Sequence, residues 1–113
     1  MLGCTVSVVV DRPLGSRHPQ HPDIVYTVNY GYVPGVMAPD GEEQDAYILG
    51  VDVPVESFTG KVIAIVHRFD DVEDKWIVAA DGAVFTKSEI EKSIAFQERY
   101  FQSELLFTEE EGR

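Results

Sequence analysis

The sequence predicts a mainly β fold, either a small barrel or a strongly bent sheet, covered by one C-terminal helix. Two observations support this prediction. Short β-branched segments recur between turns rich in Pro, Gly and Asp, and only one stretch near the C-terminus has a convincing helical pattern. The 113 residues suit one domain, because domains commonly hold ~100–150 residues. We therefore expect a single domain over residues 1–113 that ends in an acidic tail at 108–113.

The strand candidates are short runs of apolar or β-branched residues. The main ones are Thr5–Val10, Ala46–Val53, Lys61–Phe69 and Lys75–Ala80, with Ser103–Phe107 as a last strand. Three prolines between Asp11 and Asp23 indicate a loop. Between this loop and the second strand candidate we expect a short extended piece at Ile24–Val28, an aromatic turn-rich segment at Asn29–Gly35, and a turn at Ala38–Gly41.

The predicted helix is Ser88–Phe101. Thr86 and Glu89 have the spacing of a capping box, in which each side chain accepts a hydrogen bond from the other residue's backbone. Ile90, Ile94 and Phe101 lie on one stripe at helical periodicity and are predicted to be buried. Tyr100 lies on the flank of that stripe.

The charge balance limits the possible partners. Twenty Asp and Glu face nine Lys and Arg, a net charge of −11, which argues against a nucleic-acid partner because backbone binding needs excess cations. No apolar run approaches the ~20 residues that cross a bilayer, so we expect no membrane span. The N-terminus shows no basic region before an apolar stretch, and we expect a cytoplasmic protein. Cys4, the only cysteine, cannot form an internal disulfide.

Two acidic clusters hold eight of the twenty acids: Asp40–Asp45 before the second strand candidate and Asp70–Asp74 before the fourth. Each cluster has a simple alternative explanation as a solvated surface loop. If the two loops meet at one rim of the sheet, however, their carboxylates suit magnesium, which prefers hard oxygen ligands. Bound metal ions would also explain how an acidic protein approaches an acidic substrate.

Two motifs in the first half of the sequence resemble those of a known protein family. Val28–Val33, with the letters VNYGYV, followed by Pro39–Asp45, with the letters PDGEEQD, resembles the family I inorganic pyrophosphatases. The resemblance covers roughly residues 5 to 104 and is most specific between residues 26 and 50. It implies an OB-like five-stranded, closed or partly open β-barrel with a C-terminal helix.

The resemblance also implies an activity: magnesium-dependent hydrolysis of inorganic pyrophosphate to two phosphates, with Mn²⁺ as a possible substitute metal. Asp40 and Asp45 match aspartates that bind magnesium in the family. Glu42 falls at the position of an aspartate proposed as the general base, and Tyr30 matches a tyrosine of the site. A homo-oligomer is expected, because relatives assemble through their barrel surfaces.

The segment Asp70–Ala79 is similar to a family segment with two metal-binding aspartates and a phosphate-binding lysine. The spacing is shorter here, so Asp70 or Asp71 is the first ligand and Glu73 or Asp74 the second; we take Asp71 and Asp74. Lys75 is assigned to phosphate, although it could instead pair with Asp74 or Glu73. Tyr100 matches a phosphate-binding tyrosine of the C-terminal helix.

The chain departs from the family in its positive charges. Phe101 stands where the family has a lysine, and the chain leaves no room for a hairpin that carries Lys, Glu and Arg. Arg12 is assigned to substrate binding as a replacement, and the other candidate replacements are Arg17, His18, His21, His67 and Arg68. Two alternatives therefore stay open: a catalytically silent binding or oligomerisation module, and a hydrolase of another phosphoanhydride such as a nucleotide.

Overall fold

The protein is a mixed β-barrel with one helix, seen in a computed structural model that describes residues 2–39, 41–69 and 74–107. In chain order the elements are β1 (Thr5–Arg12), β2 (Asn29–Met37), β3 (Glu43–Ile48), β4 (Ser57–Arg68), β5 (Asp74–Ala79), α1 (Lys87–Glu98) and β6 (Ser103–Phe107). The predicted barrel with a C-terminal helix is therefore confirmed.

Strand pairing closes the sheet into a ring. The order is β1-β2-β3-β5-β4, and β1 also pairs with β4, which completes the five-stranded barrel. β6 adds to the far end of β4 as a sixth strand. Among the strands of the described ranges, β3 and β5 are the one parallel pair, with Ala46 opposite Trp76. Their first residues therefore lie side by side at one end of the barrel.

Two buried clusters fill the molecule, and we name them by position. The barrel interior receives side chains from all five ring strands, including Val8, Ala46, Ile48 and Val78. The helix-side cluster lies between the sheet and α1 and contains Tyr26, Tyr30, Tyr47, Ile90 and Ile94 among others. Because side chains alternate along a strand, neighbours such as Tyr47 and Ile48 belong to different clusters.

Several predicted boundaries were wrong. The segment at Asn29–Gly35 is not a turn but most of β2, and Gly31 is there because a Cβ would lie 1.9 Å from the carbonyl oxygen of Val9. β3 ends at Ile48, before the predicted limit. Ile24–Val28 forms only an isolated bridge, through Val25.

The helix starts one residue before the predicted Ser88 and ends three residues before the predicted Phe101. Thr86 and Glu89 form the capping box, but α1 stops at Glu98, so Phe101 is not part of a buried helical stripe. Ser103–Phe107 is a strand, as predicted. Within the described ranges, no helix has the length and apolarity needed to cross a membrane.

Candidate functional site

A cavity of about 610 Å³ opens beside α1, on the same side of the sheet as the helix-side cluster. Six of its lining residues come from strands, and the others come from the loop at residues 18–24, from the end of α1 and from the segment after it. The lining residues from the strands are Asp11, Arg12, Tyr30, Asp45 and Lys75, joined by Arg68 from the end of β4. The cavity thus combines three cationic side chains with carboxylates.

Lys75 and Asp45 form the ionic centre of the cavity. The parallel register of β3 and β5 places these two residues next to each other, just before Ala46 and Trp76. The Lys75 Nζ donates to Asp45 Oδ2 at 2.6 Å, with side-chain exposures of 5% and 36%. The buried ammonium group is therefore neutralised by a carboxylate that still reaches solvent. The carboxylate in this ion pair with Lys75 is that of Asp45 and not that of Asp74, which was one of the predicted alternative partners.

The Tyr30 hydroxyl completes this centre. It accepts from Lys75 Nζ at 3.0 Å and donates to Asp45 Oδ2 at 2.9 Å. Burial first, and the nearby Asp45 carboxylate second, raise the pKa of Tyr30 well above its usual value. The phenol therefore keeps its proton and acts as a hydrogen-bond donor between the two charged groups.

Arg12 lies at the end of β1, where a register shift interrupts the pairing with β2. Its Nη1 donates to the Tyr26 hydroxyl at 2.7 Å. Its guanidinium also lies 5.6 Å from the ring centroid of Tyr30. Two tyrosines thus fix the Arg12 guanidinium at the cavity wall.

Arg68 is a second arginine of the wall. Its side chain is 6% exposed and is held by Glu98 of α1, with Nε to Oε1 at 3.0 Å and Nη2 to Oε2 at 2.5 Å. The guanidinium carbon lies 3.7 Å from the ring centroid of Phe101. Burial disfavours the charge, but the hydrogen bonds and attraction to Glu98 outweigh it and raise the pKa of Arg68. The sequence offered Arg68 only as one of several replacements, because Glu98 lies 30 residues away.

Two carboxylates that sequence reasoning missed also line the cavity, Asp11 and Asp23. Burial raises the pKa of Asp11; attraction to Arg12 opposes this effect, and the charge of Asp45 adds to it. Asp11 and Asp45 are therefore close enough to repel each other. A divalent cation relieves such repulsion, and magnesium commonly takes only one or two carboxylates and keeps several waters. The donor set thus suits a magnesium ion.

The described residues do not by themselves form a complete protein cage. Among them, no group of three or more His, Cys, Asp and Glu side chains is arranged to hold a metal ion. Two of the predicted metal ligands, Asp40 and Asp71, lie outside the described residues, as do the alternatives Asp70 and Glu73.

The structure does not bring two other predicted residues to the cavity wall. Asp74 pairs with His67 Nδ1 at 2.8 Å, and strand alternation turns it to the opposite face from Lys75. Glu42 is exposed in the turn before β3 and is not among the lining residues. Tyr100 does line the cavity and is 55% exposed. Of the residues assigned a role from the sequence, Tyr30, Asp45, Lys75, Arg12 and Tyr100 therefore meet at this cavity, as do the candidate replacements Arg68, His18 and His21.

A less charged part of the wall comes from the proline-rich loop and from the segment after α1. It contains His18, His21, Ile24, Tyr100 and Phe101, and the two imidazole rings lie 5.0 Å apart. Burial, Arg12 and His21 together lower the pKa of His18. The sequence named both histidines only as candidate replacements, since nothing local shows that their loop folds over the cavity.

Comparison with known proteins finds solved structures of similar fold but no match by sequence. No family model matches the chain, and a search of curated proteins found no match. Among solved structures, an inorganic pyrophosphatase from Neisseria gonorrhoeae aligns at a TM-score of 0.71 and 17% identity, covering 96% of this chain and 86% of the other. An inorganic pyrophosphatase from Ehrlichia chaffeensis aligns at 0.71 and 14% identity, covering 95% and 88%.

A third inorganic pyrophosphatase, from Helicobacter pylori, aligns at a TM-score of 0.66 and 18% identity, covering 94% of this chain and 86% of the other. At these identities the similarity shows that the chain shares the fold of these proteins.

Proposed function

We propose that this protein is a magnesium-dependent hydrolase that converts inorganic pyrophosphate and water to two phosphates. The observation that supports this most is the Lys75–Asp45–Tyr30 centre beside Arg12 and Arg68, in a barrel with the fold of inorganic pyrophosphatases. A pyrophosphate anion needs cations to offset its charge and carboxylates to hold the metal ion. The cavity has both.

Asp45 is the proposed metal ligand on β3, with Asp11 as the second described carboxylate beside it. Asp40 and Asp71 stay proposed ligands: they precede β3 and β5 in the sequence, and those two strands begin side by side. When bound, Mg²⁺ lowers the pKa of a coordinated water and draws charge from phosphate oxygens. Mn²⁺ has the same preference for oxygen ligands and is the proposed substitute.

The protein's own residues bind and orient the substrate in this proposal. Lys75 offers a fixed ammonium charge whose position is set by Tyr30 and Asp45. Arg12 and Tyr100 contact phosphate oxygens from the cavity wall. Glu42 orients the attacking water or accepts its proton, which requires the turn before β3 to bring it toward the cavity.

Phosphate release from pyrophosphate in the presence of Mg²⁺ tests the proposal. We expect turnover by the wild type and a loss of at least about 100-fold in Asp45→Asn, which keeps the shape of the side chain but removes the ligand charge. Asp81→Asn is the matched control, because Asp81 is an exposed carboxylate that pairs with Lys61 at 3.3 Å. If the wild type shows no turnover while Mg²⁺ raises its Tm, the silent-module alternative is correct.

The size of the cavity favours a second candidate, hydrolysis of a larger phosphoanhydride. A cavity of about 610 Å³ is in the range of sites for drug-sized ligands, about 300–1,000 Å³. Ile24 and Phe101 of its less charged wall have no group that binds inorganic pyrophosphate but suit the base of a nucleotide. A nucleoside triphosphate that is hydrolysed faster than pyrophosphate at equal concentration supports this candidate.

The cytoplasmic location and the homo-oligomeric assembly stay predictions from the sequence. Light scattering coupled to size-exclusion chromatography checks the assembly directly.

A further inference from the structure

A chain of hydrogen bonds begins at Arg12 and runs behind the cavity wall. Arg12 Nη1 donates to the Tyr26 hydroxyl at 2.7 Å, and that hydroxyl donates to Gln97 Oε1 at 2.8 Å. Tyr26 is fully buried and does not line the cavity. The first half of the chain thus links a cavity arginine on β1 to the C-terminal end of α1.

The second half leads to the other arginine. Gln97 Nε2 donates to the Tyr47 hydroxyl at 2.6 Å, and Tyr47 donates to Glu98 Oε2 at 2.6 Å. The Glu98 carboxylate in turn accepts both hydrogen bonds from Arg68. Four side chains therefore connect the two arginines, and two of them, Gln97 and Glu98, are consecutive residues of α1.

The direction of every hydrogen bond in this chain is fixed by its ends. A guanidinium only donates and an ionised carboxylate only accepts, while each phenol has a single hydrogen to give. Tyr26 must accept from Arg12 and donate to Gln97, and Tyr47 must accept from Gln97 and donate to Glu98. The pKa of Tyr47 is raised well above its usual value by burial and then by Glu98, so its hydrogen is retained.

We infer that Gln97 and Glu98 are positioning residues: Gln97 holds Arg12 in the cavity wall through Tyr26, Glu98 holds Arg68 directly, and Tyr47 links the two. This inference rests on the proposed function for its consequence, which is anion binding. Gln97 and Glu98 are each 6% exposed, and any other orientation of their side chains leaves buried polar groups unpaired. α1 thereby sets the positions of two positive charges contributed by β1 and β4.

The test removes one link that does not touch the cavity. In Tyr26→Phe we expect inorganic phosphate to bind about three- to tenfold more weakly by calorimetry, the effect of losing one hydrogen bond. The KM for pyrophosphate should rise by a similar factor with a smaller change in kcat, because the ring and its packing remain. Tyr32→Phe on β2 is the matched control, since its hydroxyl takes no part in the chain.

A double-mutant cycle decides whether Tyr26 acts through Arg12. Tyr26→Phe should have no further effect on phosphate binding in an Arg12→Met background, because the group that it positions is gone. Additive effects of the two changes overturn the inference, as does unchanged phosphate binding in Tyr26→Phe alone.

A measurement without ligand separates this inference from the proposed function. In ¹⁵N spectra of the wild type we expect the Nη hydrogens of Arg12 to exchange slowly with water, and in Tyr26→Phe to exchange at least several-fold faster. If the wild type neither binds phosphate nor hydrolyses pyrophosphate, the proposed function fails, and this exchange rate still decides the positioning role. Equal rates in the two proteins contradict it.

Discussion

The two faces of β3 show how differently the two clusters are built. Ile48 is packed in the barrel interior, where the buried members of the cluster among the described residues are aliphatic except for Trp76, and none of them is ionisable. Tyr47, one residue earlier, is equally buried in the helix-side cluster, but its hydroxyl bonds to Gln97 and Glu98. The same strand therefore has an apolar face and a face with buried hydrogen bonds.

The two clusters contribute in different ways, the barrel interior to the stability of the fold and the helix-side cluster to the positions of particular side chains. An apolar interior can accept changes of shape as long as its volume is filled, and its contribution follows the buried area. A buried polar chain specifies where each partner lies, because an unpaired group is costly. The cavity adjoins the second kind of cluster, and Tyr30 belongs to both the helix-side cluster and the ionic centre.

The largest expected effect on activity comes from the ionic centre. Lys75→Met should lower kcat/KM for pyrophosphate by about 10²–10³-fold, the range for loss of one well-placed electrostatic contact. The free energy of unfolding should fall by about 1–3 kcal/mol, since methionine fills the space but Tyr30 and Asp45 lose a buried charged partner. Lys61→Met, at an exposed lysine of β4, is the control and should leave the kinetics unchanged. A similar loss of activity in both variants contradicts the assigned role.

The largest expected effect on stability comes from the barrel interior. Gly31 follows Tyr30 and faces the other way, where an added Cβ meets the backbone of Val9 at 1.9 Å. Gly31→Ala should reduce the free energy of unfolding by about 3 kcal/mol, because two strands must separate. Gly35→Ala is the control: it has open space but a φ of 81°, so it should cost about 1 kcal/mol. Denaturant titration measures both.

A matched pair on β3 tests the comparison itself. Tyr47→Phe and Ile48→Val each delete one small group from a fully buried side chain. Both should cost about 1 kcal/mol of unfolding free energy, one through lost hydrogen bonds and the other through lost packing. Only Tyr47→Phe should also raise the KM for pyrophosphate, by a few-fold. If Ile48→Val raises KM equally, the distinction between the two clusters fails.

The effect confined to the narrowest range of conditions is a dependence of stability on alkaline pH. The pKa values of Tyr30 and Tyr47 are raised in the folded state by burial and by their carboxylate partners. Above pH ~10 the unfolded chain loses these protons while the folded chain keeps them, so stability is complete below pH ~10 and falls above it. The decline approaches about 1.4 kcal/mol per pH unit for each tyrosine. Tyr47→Phe should show a shallower decline; an equal slope contradicts this account.

The sequence correctly predicted those elements that depend on interactions between residues close together in the chain. The capping box of Thr86 and Glu89 and the strand Ser103–Phe107 follow from residue type and spacing. β2 was not predicted, because Gly31 was interpreted as part of a turn. Its role is instead to allow the close approach of β1. The helix end was also missed: Phe101 packs against Arg68 after the helix has stopped, and that contact is between distant residues.

The site also contains both residues that local motifs identify and residues whose roles depend on distant partners. Tyr30, Asp45 and Lys75 were found because they belong to contiguous motifs at strand ends, and the structure brings them together. The role of Arg68 depends on Glu98, and that of Arg12 on Tyr26 and Gln97, so neither is visible from spacing alone. The positive charge that the sequence lacks at the end of α1 is supplied by Arg12 of β1 and Arg68 of β4. Residues of α1 hold both of these side chains in place.

The most direct test of the central claim is a crystal of the protein soaked with Mn²⁺ and phosphate. We expect an anomalous peak within bonding distance of the Asp45 carboxylate, with a phosphate beside it that contacts Lys75 and Arg12. A manganese ion bound elsewhere, with Asp45 still bonded only to Lys75 and Tyr30 and no phosphate in the cavity, would contradict it.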